Sequence, residues 1–147
     1  MTIKENEAKG TEIEKIVANQ FQVTANAQKV QITFPSNSRT FFDFESNFTV
    51  YEVKSCHQII KNGLRKTHQQ SRNGRFWIYR NSHFDLKKYA DENCKEACYI
   101  FVLLDSENLI IKQKSLSWDS ADKIITHIKP RNHGDYGINH ELIFGKG

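Results

Sequence analysis

Three residues in one short stretch have the types and spacing to do chemistry: Asp43, Glu52 and Lys54. They lie in Phe41-Phe42-Asp43-Phe44-Glu45-Ser46-Asn47-Phe48-Thr49-Val50-Tyr51-Glu52-Val53-Lys54. Two carboxylates brought together without a cation repel each other, and a divalent metal resolves the conflict. Hard oxygen ligands suit magnesium, which keeps several waters and accepts substrate phosphate oxygens. A lysine beside such an ion orients or activates a water, or stabilises developing negative charge. The trio therefore predicts metal-assisted attack of water on a phosphodiester, with Asp43 and Glu52 as ligands. The other reading of the same residues is a surface hairpin with ordinary ion pairs.

Positioning them falls to a β-hairpin. Aromatic and β-branched residues dominate both arms, and Ser46-Asn47 is a short polar break. Side chains alternate along a strand, so Glu52 and Lys54 share a face. With Ser46-Asn47 as a two-residue loop, Glu45 lies opposite Phe48, Asp43 opposite Val50 and Phe41 opposite Glu52. Asp43 then joins the face of Glu52 and Lys54, as a diagonal partner of Glu52 about 7–8 Å away. A three-residue loop would turn Asp43 to the other face.

At these residues the chain resembles the PD-(D/E)XK nuclease superfamily. Asp43 matches that family's strand aspartate, and Glu52-Val53-Lys54 its E-x-K. Phe42 stands where the family usually has proline, and the Asp43 to Glu52 spacing is at the family's short end. The resemblance runs from Lys9 to about Leu116. It implies a restriction-endonuclease-like fold of class α+β (α/β), with a mixed, mostly five-stranded sheet flanked by helices. It implies magnesium, with manganese as substitute, and the backbone carbonyl of Val53 as a further ligand. Lys9-Gly10-Thr11-Glu12-Ile13-Glu14 looks like the opening helix of archaeal Holliday junction resolvases, which are usually homodimers. There a glutamate at the place of Glu14 completes the metal site. Thr11-x-x-Glu14 is also a capping box, so Glu14 is read both as helix cap and as third carboxylate. The family often carries a Gln or His on the helix after its E-x-K strand, pointing at the site. His83 is the candidate here, as a contact to nucleic acid; a first-turn histidine in an ordinary hydrogen bond is the other reading.

The chain has 147 residues, which suits one domain with one core. Residues 1–9 read as a loose N-terminus and residues 129–147 as a loop-rich tail. No apolar run approaches a membrane span, and the N-terminus does not read as a signal peptide. Cys56, Cys94 and Cys98 are an odd number without a secretion signal, so a reduced, cytoplasmic protein is expected. Cys94-x-x-x-Cys98 lacks a second pair for a zinc site.

Along the chain, Ile13, Ile16, Val17 and Phe21 recur at helical spacing. Lys29 to Phe34 alternates as a strand, and Pro35 to Arg39 is a loop. After the hairpin, Ser55 to Ser82 holds Lys61, Arg65, Lys66, Arg72, Arg75 and Arg80 with no Asp or Glu. An acid-free basic stretch next to a catalytic strand predicts contacts to a phosphate backbone through Lys61, Arg65, Lys66, Arg72 and Arg75. A solvated basic loop is the plain alternative. Within it, Arg75 to Arg80 reads as a strand. Asn81-Ser82 caps a helix to about Asn93, with His83, Leu86 and Ala90 on one side. Ala97 to Leu104 reads as a buried central strand, and Leu109 to Ile111 as a further strand. Ser117 or Ser120 starts a helix to about His127. Glu141 to Phe144 is expected as a short terminal strand.

Together these predict a divalent-metal-dependent endonuclease acting on DNA, duplex or branched. A restriction or repair nuclease of the same superfamily is the neighbouring reading. A non-catalytic nucleic-acid-binding module is the rival from another class.

Overall fold

A computed structural model describes residues 12–20, 32–33, 42–62, 70–131 and 134–146. Outside them lie the loose N-terminus, the Thr11 cap, most of the Lys29 to Phe34 strand, the Pro35 to Arg39 loop, Phe41, Arg65 and Lys66.

The chain is organised by the apolar run at its centre, strand β7 (Glu96–Leu104). Alternation sends Tyr99, Phe101 and Leu103 into one buried cluster and Ile100, Val102 and Leu104 into another. A strand buried on both faces must sit inside a sheet. Here it lies between β3 (Thr49–His57), to which it is parallel, and the antiparallel edge strand β8 (Ile110–Ser117). Strands β1 (Ile32–Thr33) and β2 (Phe44–Ser46) complete a five-stranded mixed sheet in the order β1-β2-β3-β7-β8. The first three strands pair antiparallel in succession. This is the α+β, restriction-endonuclease-like arrangement expected from the sequence.

One face is covered by helix α1 (12–20), through Ile13, Val17 and Ala18 against Phe44, Val53 and Ile100. The other carries α2 (Arg80–Glu92), α3 (Trp118–Ile125) and α4 (His140–Phe144). It also carries the two-stranded ribbon of β6 (Arg75–Tyr79) and β9 (Asp135–Asn139). Strands β4 (Ile59–Asn62) and β5 (Gln70–Asn73) pair separately. Among the described residues no helix is long and apolar enough to cross a membrane.

Several local expectations are corrected. The hairpin turn centres on Asn47-Phe48, because the Ser46 hydroxyl accepts hydrogen bonds from the N–H groups of Phe48 and Thr49 and closes the turn. Phe48, read as part of an apolar arm, is 72% exposed at the tip. Pairing is therefore Phe44↔Tyr51 and Glu45↔Val50, two residues from the expected register. Helix α2 starts at Arg80 with Tyr79 as N-cap and no side-chain cap, so neither Asn81 nor Ser82 plays that part. Strand β8 runs on to Ser117 through Lys112-Gln113-Lys114-Ser115, since an edge strand tolerates polar residues that a central one rejects. For α3 the structure selects Ser117, whose hydroxyl accepts from the N–H of Ser120.

The C-terminal tail is not loop-rich, and Glu141 to Phe144 is not a strand. Residues 135–139 form β9, and 140–144 form α4. The side chain of Asn139 accepts from the N–H of Glu141, and His140 and Ile143 are buried three residues apart, a helical repeat.

Candidate active site

Strand β2 pairs with β3 as far as Phe44↔Tyr51, and Asp43 sits in a bend just before it. There the backbone N–H of Asp43 donates to the Tyr51 carbonyl at 2.8 Å. The Asp43 carboxylate takes over where the ladder stops, accepting the Val53 N–H at 2.6 Å. Asp43 is thus fixed to the residue between Glu52 and Lys54. The side chain of Val53 is buried in the core, so only its backbone faces this chemistry.

Glu52 and Lys54 are half-buried, and alternation puts them on the β3 face of Val50 and Cys56. Glu14, also half-buried, comes from α1 on the opposite side of the sheet. The groups meet where β2 leaves β3. The Glu14 carboxyl lies within hydrogen-bonding reach of Asp43 and feels the charge of Lys54. The Glu52 carboxyl also lies within hydrogen-bonding reach of Asp43 and feels Lys54 and Glu14.

Two carboxyl groups can share a hydrogen bond only if one is protonated. The site accordingly favours protons. Burial, then the charge and hydrogen bond of Asp43, push Glu14 up to about 7 against the pull of Lys54. Burial pushes Glu52 well above the usual carboxylate range, reinforced by Asp43 and Glu14 and opposed by Lys54. Among the described residues no three or more His, Cys, Asp or Glu side chains stand as a metal cage. What is present is a set of hard carboxylate oxygen donors beside a lysine. That set fits magnesium, which takes few protein ligands and keeps its waters.

Tyr99 lies opposite Glu52 across the parallel β3–β7 pairing. Its phenol is pushed above its ordinary range by burial, then by the charges of Glu52 and Asp122. Its hydroxyl is 2.7 Å from His83 Nδ1, and His83 Nε2 is 3.0 Å from Asp122 Oδ1. Trp118 stacks on the imidazole at 4.2 Å between centroids and donates its indole N–H to the His83 carbonyl. His83, expected to touch nucleic acid, is 1% exposed. The nucleic-acid reading is corrected and the ordinary hydrogen-bonded histidine stands: His83 shares the inward stripe of Leu86 and Ala90 and is held by core partners. Tyr99 went unnoticed in the sequence, because pattern alone does not give the register of a parallel pair.

Of the basic residues, Arg72 and Arg75 are exposed, and among the described residues neither has an acidic partner. Lys61 belongs to β4.

A family model described as PD-(D/E)XK nuclease superfamily domain matches residues 2–140. No curated protein matches the chain.

Proposed function

Because the chain belongs to the PD-(D/E)XK nuclease superfamily, and so acts on nucleic acid as a nuclease, we propose that it is a magnesium-dependent endonuclease that hydrolyses DNA. The observation that carries this reading is that Asp43, pinned to β3, neighbours both Glu14 and Glu52, with Lys54 near enough to act on both glutamates. Nucleases of this superfamily generally use divalent metals. Here Asp43 and Glu52 would hold the ion, with the Val53 carbonyl beside them and Glu14 as a third carboxylate. The bound metal would polarise the scissile phosphate and acidify a water. Lys54 would orient the attacking water and offset the charge that builds on the phosphate. Asp43, anchored by the Val53 N–H, fixes the spacing between ligand and lysine.

Manganese is the natural substitute, since it too takes oxygen donors. Arg72 and Arg75, with Lys61, Arg65 and Lys66, would hold the phosphate backbone. The likeness of 9–14 to the opening helix of Holliday junction resolvases favours a branched substrate and a homodimer, with a restriction or repair nuclease as the neighbouring role. The free cysteines suit the reducing cytoplasm.

The test is incubation with labelled linear, nicked, flapped and four-way DNA in magnesium, manganese or EDTA. Cleavage that needs the metal and disappears in Asp43→Asn supports the reading. Binding of all substrates with no cleavage in either metal would point to the non-catalytic module instead.

A further inference from the structure

On the outer face of the β6–β9 ribbon, a tryptophan and an arginine are stacked with one arginine face left open. Phe76 and Ile78 point into the core, so Arg75, Trp77 and Tyr79 point away from it. Trp77 lies opposite Gly137. A Cβ at Gly137 would stand 2.8 Å from two indole carbons and 3.2 Å from Arg75 Cδ. The glycine is therefore the bed on which the indole rests. The guanidinium of Arg131 lies over that indole, its carbon 3.8 Å from a ring centroid, a flat-stacking separation.

Arg131 is held from a second side. Its Nη2 donates to Oδ2 of Asp135, whose side chain is 4% exposed. Its backbone N–H donates to the Asp135 carbonyl at 2.9 Å. Yet its own side chain is 59% exposed. An arginine whose charge is matched by a buried carboxylate gains little from a phosphate. What it still offers is a fixed, flat, polarisable face. Beside it stand Tyr79, 53% exposed, and the exposed Arg75 and Arg80, which have no acidic partner among the described residues.

We propose that the stacked Gly137–Trp77–Arg131 column, with Tyr79 beside it, is a platform for unpaired nucleobases, and that Arg75 and Arg80 hold the flanking phosphates. Bases in a duplex present only their edges to a protein. Unpaired bases present their faces, which stack on guanidinium planes and aromatic rings. Tyr79 is two residues from Trp77, about 7 Å along the strand, so the two can serve neighbouring bases. The platform would direct the nuclease to DNA with a single-stranded or splayed segment. This deepens the nucleic-acid reading above and rests on it.

The test is binding in EDTA, where no cleavage occurs, to fluorescent oligothymidylate, to an abasic deoxyribose-phosphate strand of the same length, and to a blunt duplex. Parent protein, Arg131→Ala, Arg131→Lys and Tyr79→Ala are compared. A stacked base is worth about 5- to 150-fold in affinity. Arg131→Ala and Arg131→Lys should both lose affinity for oligothymidylate on that scale, and Tyr79→Ala should lose severalfold. The abasic strand should bind all four alike, and the parent should prefer oligothymidylate to the duplex. Arg131→Lys keeps the ion pair with Asp135, and Tyr79→Ala removes an exposed ring, so neither result depends on a misfolded protein. If Arg131→Lys binds like the parent, or the abasic strand weakens in parallel, the contact is to phosphate and the platform is wrong. Cleavage in magnesium is scored separately: a protein that shows the platform pattern but cuts nothing loses only the nuclease reading.

Discussion

The carboxylate of Asp43 accepts the backbone N–H of Val53 at 2.6 Å. A residue expected to hold metal is thereby also the hydrogen-bond partner that β3 lacks where β2 ends. Its two duties separate by mutation. Asn keeps an acceptor for Val53 but loses the charge. Asp43→Asn should keep a melting temperature close to the parent and lose cleavage by about a hundredfold or more, the scale for one preorganised electrostatic group. Asp43→Ala should lose cleavage and also about 1–3 kcal/mol of stability, because it strands the Val53 N–H. Thermal melts beside cleavage rates check both, and Asp43→Asn cutting at the parent rate would remove Asp43 from the metal site.

Glu14 and Glu52 have folded-state pKa values above the ordinary carboxylate value of 4.5. The folded site thus binds protons more tightly than the unfolded chain, and its share of stability is full in acid and is lost as pH rises. For Glu14 that window runs from 4.5 to about 7. A bound cation would offset the carboxylate charges in place of those protons at higher pH. Magnesium should raise the melting temperature more at pH 8 than at pH 5, and should release protons on binding near pH 6. Melting in EDTA and in magnesium across this range is the measurement, and a pH-independent magnesium effect would contradict the assignment.

Burial holds His83 below its ordinary value of 6.5, against the pull of Asp122. A histidine kept neutral gives stability that is present above pH 6.5 and is lost as pH falls below it, when the unfolded chain takes up the proton. His83→Ala leaves the Tyr99 hydroxyl without its partner and removes the ring under Trp118, at a cost of about 3 kcal/mol near pH 7.5. That cost should shrink at pH 5. Urea titrations at the two pH values read it, and an equal cost at both would mean that His83 acts through packing alone.

Arg72 and Arg75 are exposed and unpaired among the described residues. If they touch phosphates, replacing both with Ala should flatten the log–log dependence of binding on potassium chloride by about 0.7 to 0.9 per contact, with a similar loss for every DNA sequence. A steep, unchanged slope would place both on a solvated face.

What the sequence alone decided is the sheet's buried inner strand, the helical stripes and the shared β3 face of Glu52 and Lys54. Each follows from side-chain periodicity, which is local. Asp43 escapes that periodicity: the alternation breaks at the bend before β2, where Phe42 packs in one cluster and Phe44 in the other, and its carboxylate turns to the Val53 N–H. Tertiary structure decided the rest. His83 has a helical position that would equally suit a surface contact, and only the approach of Tyr99, Trp118 and Asp122 buried it. Trp77 and Arg131 are far apart in sequence, and the β6–β9 pairing stacked them over Gly137. Glu14 came near Asp43 through the packing of α1 on the sheet. Pattern reports which way a side chain points from its own backbone; what it meets depends on long-range pairing and packing, which no neighbouring residue encodes.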